Sequence, residues 1–220
     1  MDINVLMVDD HPLIIDGYKS ILSYNKLGYN VKTTSAYNCK EAYDIIFSTN
    51  AAPIFDIVFI DVTLPAYHEE KINSGEDLAL LIKNKKPQTK VVILTSHVEI
   101  LMLKRILKEI NPKALLLKND ITSDEFLEAF DSVIKGSFYH SKTIKSINND
   151  LKGSLKKLDH YNSQIILLLS QGIKSKSIQE QLNLSKSAID KRKVAIKEYL
   201  GIDKGNDEDI LREARKQGLI

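Results

Sequence analysis

The sequence has little of the chemistry that stabilises secreted, thiolate-metal or membrane-spanning proteins. Cys39 is the only cysteine among 220 residues, so an intrachain disulfide is impossible and a cysteine-based metal site is not expected. The longest apolar runs, such as residues 165–169, are far too short to cross a bilayer. The opening residues MDIN lack the basic run and apolar stretch of a secretory signal. These absences predict a cytoplasmic protein with no membrane association.

Charge is distributed unequally along the chain, although the net charge is only +2. Residues 1–138 carry 15 Lys+Arg against 19 Asp+Glu, whereas residues 139–220 carry 16 against 10. A basic half joined to an acidic half suggests two tasks, with the basic half facing a polyanion. An ordinary soluble surface explains the same balance, so charge alone leaves both interpretations open.

The first 135 residues alternate between short apolar runs and segments with helical periodicity. Such alternation is typical of an α/β domain, here with five parallel strands in a doubly wound sheet. The run IFDIVFI is almost entirely apolar, as expected for a central strand buried on both faces. The predicted strands cover 3–8, 29–34, 54–60, 90–95 and 113–117. The predicted helices cover 13–25, 38–49, 75–84, 98–109 and 123–135.

The rest of the chain shows only helical patterns. Residues 137–153, rich in Ser, Asn and Lys, are predicted to form a linker. The predicted domains are therefore an α/β domain at 1–136 and a small all-α domain at 154–220. Within the second domain the predicted helices cover 160–171, 175–182, 186–200 and 207–217.

Charged and hydroxyl side chains follow the predicted strands. In an open parallel sheet, ligands bind beyond the carboxyl ends of the strands, so these residues are expected to meet. Crowded carboxylates favour a bound cation, and oxygen-only ligands suit Mg²⁺. A carboxylate beside Mg²⁺ and a Lys ammonium can act as a nucleophile toward a phosphoryl group. The residues at the strand ends are Asp9, Asp10, Asp61, Thr95, Ser96 and Lys118.

The segments MVDDHP, FIDVTLP, ILTSH and LLLKND resemble the motifs of a response-regulator receiver domain, over residues 1 to about 135. The resemblance implies a flavodoxin-like fold and phosphoryl transfer from a sensor histidine kinase to Asp61. It implies that Asp10 is a direct Mg²⁺ ligand, that Asp9 is a carboxylate just outside it, and that the Thr63 carbonyl is a further ligand. Thr95 would be the switch hydroxyl, and Lys118 would pair with the phosphoryl group.

The chain departs from the family pattern at three places near this site. Lys118 is followed by Asn119 and not by the proline of many members, so the usual cis peptide bond is not expected there. Leu115 occupies a position where many members carry an aromatic switch residue, so an aromatic rotamer change coupled to Thr95 is not expected. The loop at 66–74 (AYHEEKINS) is longer than the family norm. Its His68, Glu69 and Glu70 are interpreted as a solvated polar loop rather than a metal site.

A second resemblance covers the basic half. The stretch from Leu158 to Ile202 is similar to the helix-turn-helix of the LuxR/NarL family, with apolar helices, a Leu184-Ser185 turn and a closing Leu200-Gly201-Ile202. The resemblance implies binding to double-stranded DNA and a homodimer when the chain is phosphorylated. The candidate DNA contacts are Lys186, Ser187, Asp190, Lys191, Lys193 and Lys197.

Two rival functions remain at the level of sequence. The helical domain could bind another protein, since Asp190 stands where relatives often carry Lys and is unfavourable beside phosphates. The α/β domain could instead be a phosphatase, although no general acid is evident beside Asp61 and no insertion is large enough to cap a substrate pocket. The leading hypothesis is a DNA-binding response regulator that catalyses only its own phosphorylation and dephosphorylation.

Overall fold

The computed structural model describes residues 2–47, 54–147 and 158–220. The chain divides into two compact units. The first comprises Met1–Ser96 and Ile106–Lys145, and the second comprises His97–Arg105 and Ser146–Ile220.

The first unit is built on a parallel sheet, as the alternating pattern predicted. Its strands follow the order β2-β1-β3-β4-β5-β6, and every neighbouring pair is parallel. The sheet has one strand more than the five predicted, because Tyr139 and His140 pair with β5. A strand of two residues has no apolar run from which to predict it. The strands are β1 (Asp2–Val8), β2 (Asn30–Ala36), β3 (Ile57–Asp61), β4 (Lys90–Thr95), β5 (Ala114–Leu117) and β6 (Tyr139–His140).

Helices lie between the strands, and their pairing shows that both faces of the sheet are covered. The helices are α1 (Pro12–Ser23), α2 (Cys39–Phe47), α3 (Gly75–Lys85), α4 (Ile100–Arg105) and α5 (Ser123–Ile134). Among them, α1 contacts α5, and α2 contacts α3. The predicted helix 98–109 is shorter than expected, because Ile106–Ile110 form a π-helical turn. The last two residues of the predicted helix 38–49 lie outside the described residues.

The core explains why β1, β3, β4 and β5 are mostly apolar, whereas the edge strand β2 alternates exposed and half-buried residues. Alternate residues of β1, Ile3, Val5 and Met7, pack on one face with residues of α1 and α5. The intervening residues, Leu6 and Val8, are equally buried. Residues 5–8 of β1 are buried on both faces, so this part of the strand is apolar throughout and does not alternate. The buried strands therefore form a rigid support for the residues at the carboxyl edge of the sheet.

The second unit contains the four helices predicted for the basic half. They are α6 (His160–Ser170), α7 (Ser175–Leu182), α8 (Lys186–Leu200) and α9 (Asp207–Lys216). Ser185 caps α8, its side chain accepting a hydrogen bond from the Ala188 amide, and Asn183 ends α7 in the left-handed conformation. Ile178, Ile189 and Ile196 are buried in the cluster that joins the helices. The turn between α7 and α8 is therefore fixed from both sides.

The stretch predicted as a linker is partly structured. Strand β6 lies within it, and residues 142–147 are helical. Residues 148–153 of the predicted linker, and 154–157 of the predicted second domain, lie outside the described residues. Across the described ranges, no helix combines the length and apolar character needed to cross a membrane.

Candidate functional site

The carboxyl edge of the sheet brings together side chains that are far apart in sequence. Asp9 follows β1, Asp61 ends β3, and Lys118 follows β5. The Lys118 Nζ lies 2.6 Å from Asp9 Oδ2 and 3.0 Å from Asp61 Oδ2. Asp9 is 1% exposed and Asp61 is 5% exposed. One ammonium thus bridges two buried carboxylates that the sequence placed at strand ends.

Burial and charge act against each other at this triad. Burial raises the pKa of the Asp61 carboxyl above its usual value, and the nearby Lys118 ammonium offsets part of that rise. For Lys118 itself, burial opposes the charged form, but the hydrogen bond to Asp9 and the charge of Asp61 outweigh it and raise its pKa. Lys118 is therefore firmly protonated. A positive charge therefore faces the oxygen atoms of Asp61.

Asp10 and His11 lie beside this triad but are open to solvent. The His11 Nδ1 lies 2.7 Å from Asp10 Oδ1 and 3.2 Å from Asp9 Oδ1. The His11 amide also donates a 3.0 Å hydrogen bond to Asp9 Oδ1. His11 thus orients both carboxylates, a contact that sequence reasoning missed because its signal is only the adjacency of the three residues.

The donor set fits a hard cation. Ligand atoms of Asp9, Asp10 and His11 lie within 4.8 Å of one another, the one such group found among the described residues. Mg²⁺ takes oxygen ligands and few protein carboxylates, which the two aspartates and Asp61 can supply, whereas an imidazole is a poor ligand for it. The sequence group His68, Glu69 and Glu70 forms no cluster of this kind within the described residues.

Two threonines predicted for the site lie near the ends of neighbouring strands, Thr63 two residues after β3 and Thr95 at the end of β4. The Thr63 backbone amide hydrogen-bonds the Asp61 carboxylate, which opposes the effect of burial on the Asp61 pKa. Thr95 is the last residue of β4 and is fully buried, and Ser96 after it is exposed. Residue Leu94 pairs in register with Asp61, so Thr95 lies one residue beyond the level of Asp61. Leu115, in β5, is fully buried and presents no aromatic ring.

The start of α3 packs against the backbone of Asp61 at Gly75. The sequence pattern did not reveal this contact. It is the first residue of α3, and its amide donates a 2.9 Å hydrogen bond to the Val62 carbonyl. An ideal Cβ on Gly75 would lie 1.7 Å from the Asp61 carbonyl oxygen. Only a residue without a side chain can bring α3 this close to the backbone of Asp61.

The loop between β3 and α3 is folded rather than extended. Tyr67 and Ile72 form an antiparallel bridge around a 3₁₀ turn at His68–Glu70, with Lys71 in the left-handed conformation. The Tyr67 ring packs edge-on against Tyr43, 5.5 Å between centroids. Glu69 and Glu70 are exposed, as expected for the solvated polar loop predicted from the sequence.

In the second unit, α8 presents one face to solvent. Of the six predicted DNA contacts, Lys186, Ser187, Asp190 and Lys191 are exposed. Val194, 60% exposed, lies on the same helix. Lys197 is half-buried, and its ammonium donates a 3.3 Å hydrogen bond to the Gly205 carbonyl.

Lys193 and Arg192 are held within the helical unit. The Lys193 ammonium donates to Ser175 Oγ at 2.8 Å and to Asp207 Oδ2 at 2.6 Å, and only 14% of its side chain is exposed. Arg192 contacts both carboxylate oxygens of Asp159, at 2.9 and 2.7 Å, and stacks over the Tyr161 ring. Lys193 therefore joins the starts of α7 and α9 to α8, and Arg192 joins α8 to the start of α6.

Comparison with known proteins places this geometry in a family. Residues 5–130 match the model of the response regulator receiver domain. The chain is 27% identical to the response regulator UvrY of Escherichia coli K12, over 99% of this chain and 95% of that protein. It is 23% identical to the transcriptional regulatory protein MctR of Rhizobium johnstonii, with the same two coverages.

Solved structures show the same fold over nearly the whole chain. RcsB from Salmonella enterica serovar Typhimurium, bound to promoter rprA with the phosphomimetic BeF₃⁻, aligns with a TM-score of 0.65. The sequences are 20% identical, and the alignment covers 98% of this chain and 99% of that one. Asp9, Asp61 and Lys118 all lie within the matched residues 5–130, which make up more than half of the sequence. The chain therefore belongs to the response regulator receiver domain family.

Proposed function

We propose that this chain is a DNA-binding response regulator of the LuxR/NarL type, in which phosphoryl transfer from a sensor histidine kinase to Asp61 controls transcriptional output. The observation that carries the proposal is the Lys118 ammonium bridging Asp9 and Asp61 at the carboxyl edge of the sheet. The domain assignment is a receiver at 1–136, a linker at 137–153 and a helix-turn-helix domain at 154–220.

Asp61 is the proposed nucleophile. One of its carboxylate oxygens attacks phosphorus of the kinase phosphohistidine, a P–O bond forms as the P–N bond breaks, and the imidazole leaves with the electron pair. Lys118, whose pKa is raised by its contacts with Asp9 and Asp61, pairs with an equatorial phosphoryl oxygen. Asp9, Asp10, Asp61 and the Thr63 carbonyl would hold Mg²⁺, which supplies further positive charge against the phosphoryl group.

Thr95 is the proposed switch. Its hydroxyl, buried at the end of β4, can hydrogen-bond the new phosphoryl oxygen and draw the following segment with it. Since Leu115 is aliphatic, the response passes through the backbone after Thr95 and not through an aromatic rotamer. Response regulators are not classical enzymes, and the proposed catalysis is limited to phosphorylation and dephosphorylation of Asp61.

The helical domain is proposed to bind double-stranded DNA through the exposed face of α8, with the chain acting as a homodimer in the cytoplasm when phosphorylated. Two similar proteins support this: UvrY is a response regulator, and RcsB has been solved bound to promoter rprA. Lys186 and Lys191 are free to reach phosphates or guanine edges, while Asp190 can accept from a cytosine amino group. Lys193 is bound inside the unit and is the weakest of the proposed contacts.

Incubation with acetyl phosphate and Mg²⁺ tests phosphoacceptance. Intact-mass measurement should show one added phosphoryl group on the wild type and on Asp124→Asn, an exposed aspartate in α5. Asp61→Asn should show none, because the amide is not a nucleophile. Equal labelling of Asp61→Asn would contradict the assignment.

Titration of the phosphorylated chain with fragments of genomic DNA tests the second half of the proposal. Binding should weaken steeply as salt rises, because Lys contacts release counterions from the phosphates. The alternative is that the helical domain binds a protein. Absence of DNA binding at low ionic strength would favour that alternative. The exposed carboxylate of Asp190 also favours it, because it is repelled by DNA phosphates.

A further inference from the structure

The short turn that carries Lys118 is held at both ends by residues that follow β6. The turn is a 3₁₀ helix that begins at Lys118, directly after β5, and ends at Asp120. Just before the turn, the Leu117 amide donates a 3.1 Å hydrogen bond to the Ser141 hydroxyl oxygen. At its end, Asp120 Oδ2 accepts a 2.8 Å hydrogen bond from the Thr143 amide. The backbone on either side of the lysine is therefore fastened to the residues after β6.

The residues after β6 are themselves fixed to the sheet. Ser141 is 4% exposed, and its amide donates a 3.2 Å hydrogen bond to the Leu115 carbonyl in β5. The Ser141 carbonyl accepts a 2.9 Å hydrogen bond from the Lys145 amide, at the start of the helical residues 142–147. Ile144, in the first turn of that helix, is 1% exposed. Ser141 thus contacts β5 through both its backbone and its side chain.

Each of the two hydrogen bonds satisfies a donor that is costly to leave without a partner. Leu117 is 4% exposed, so loss of the Ser141 hydroxyl would leave a buried amide unsatisfied. The Thr143 amide lies in the first turn of a helix, where amides have no partner within the helix. A carboxylate at that position, here Asp120, is also favoured by the helix dipole. The two contacts therefore fix both ends of the turn.

Lys118 depends on such support because its ammonium group lies at the end of a flexible side chain. That group lies 2.6 Å from Asp9 and 3.0 Å from Asp61, and 11% of the side chain is exposed. A displacement of about 1 Å at a catalytic group can cost about 100-fold in rate. The position of the backbone at Lys118 therefore bears directly on phosphoryl transfer.

We propose that Ser141 and Asp120 are positioning residues for phosphoryl transfer, which act through Lys118 by fixing the turn that carries it. This inference rests on the proposed phosphorylation of Asp61. It gives the first residues of the segment predicted as a linker a part in the chemistry of the sheet edge. Ser141 acts on the backbone before Lys118, and Asp120 acts on the backbone after it.

Rates of phosphorylation by acetyl phosphate and Mg²⁺, followed by mass, test the positioning. Ser141→Ala should slow the reaction about tenfold, because the lysine is displaced. The matched control is Thr89→Val, which removes a 2.9 Å hydroxyl hydrogen bond to the Phe55 carbonyl at the amino ends of the strands. Its rate should stay within about twofold of the wild type. A wild-type rate for Ser141→Ala would overturn the inference.

Asp120 supplies a second pair of variants that does not depend on the folding of Ser141→Ala. Asp120→Ala removes the acceptor for the Thr143 amide and should also slow phosphorylation about tenfold. Asp120→Asn keeps an acceptor oxygen at the same place and should restore most of the rate. Equal rates for the alanine and asparagine variants would show that this hydrogen bond does not position the lysine.

A double-mutant cycle separates positioning of the lysine from a general loss of stability. In a chain that already carries Lys118→Ala, Ser141→Ala should change the phosphorylation rate by less than about twofold, because no ammonium remains to be positioned. Loss of the same factor in both backgrounds would show that Ser141 does not act through Lys118, and would overturn the inference.

Proton–nitrogen NMR of the chain without a phosphodonor tests the inference independently of the reaction. The shielded ammonium of Lys118 should give a signal that is absent from Lys118→Ala. The signal should persist in Thr89→Val and should shift or broaden in Ser141→Ala. An unchanged signal in Ser141→Ala, or no signal in the wild type, overturns the inference. A wild-type chain that takes up no phosphoryl group overturns the proposed function, and the spectra then still decide whether Ser141 positions the lysine.

Discussion

The site at the sheet edge and the exposed face of α8 are both rich in charge, but they differ in what surrounds each charged group. Asp9, Asp61 and Lys118 are buried and bonded to one another. Lys186 and Lys191 on α8 are exposed. Each buried group constrains the others, so the chemistry of the site can be argued from geometry. On α8 the geometry explains how the helix packs in its unit. It does not show what the exposed side chains bind.

Lysine shows this difference most clearly. Lys118 bridges carboxylates from two strands, Lys193 ties together the starts of two helices, and Lys191 is exposed to solvent. The three residues are alike in sequence and have three different environments. Environment, not residue type, therefore separates proposed catalytic support, structural contact and proposed DNA contact.

The largest effect is expected at Lys118. Lys118→Ala should slow phosphorylation by acetyl phosphate by about 100-fold or more, because a preorganised positive charge at the transferring group is lost. Lys113→Ala, at the other end of β5, removes a lysine that stacks on Phe138 and should leave the rate within about twofold, since surface changes have small effects. The measurement is the rate of phosphoryl incorporation followed by mass. Similar phosphorylation rates for both variants would show that Lys118 does not assist phosphoryl transfer.

A glycine substitution tests whether the rigidity of the sheet edge matters. Gly75→Ala should destabilise the chain by about 1–3 kcal/mol and slow phosphorylation, because the new Cβ must displace the Asp61 backbone. Gly17→Ala, in the interior of α1 with no atom within 4 Å of the new Cβ, should instead stabilise by up to about 1 kcal/mol. Urea unfolding gives both values. Destabilisation of equal size at both glycines would show that the close contact between Gly75 and the Asp61 backbone does not cause the loss of stability.

The lysines of α8 distinguish scaffold from contact surface. Lys193→Ala should destabilise the helical unit by about 1 kcal/mol through lost hydrogen bonds to Ser175 and Asp207. Lys191→Ala should leave stability unchanged and should reduce the slope of log affinity against log salt by about 0.9, the value for one phosphate contact. Thermal unfolding and DNA titration at several salt concentrations separate the two. The proposal for α8 fails if Lys191→Ala changes stability and not the salt slope.

The smallest effect concerns the single thiol, which reports on the first unit alone. Cys39 is fully buried, and burial raises the pKa of its thiol to about 11. Because the thiolate is the reactive form, a maleimide at pH 7 should not label the native chain and should add one equivalent in denaturant. Labelling along a urea series then follows the unfolding of the first unit separately from the helical unit. Rapid labelling of the native chain would show that α2 is not packed as described.

Strand positions and strand-end residues were predictable because buried parallel strands leave an unmistakable apolar run followed by a polar residue. The helix-turn-helix boundaries at α7 and α8 also matched, since Asn183 and Ser185 are strong end and start signals. The sixth strand and the π-helical turn after α4 were missed, because each is short and defined by contacts with distant backbone. Gly75 was missed for the same reason, as its closeness to Asp61 is visible only in the folded chain.

The sequence by itself determined the fold class, the order of strands and helices along the chain, and which residue types reach the carboxyl edge of the sheet. Only the tertiary structure decided how the charged side chains are paired. Lys118 and Asp9 are 109 residues apart, and Lys193 and Asp207 are 14 apart, so no local pattern links them. Hydrophobic periodicity is a local property that reports burial. The partner of a charge depends on distances across the fold, and those exist only once the units have packed.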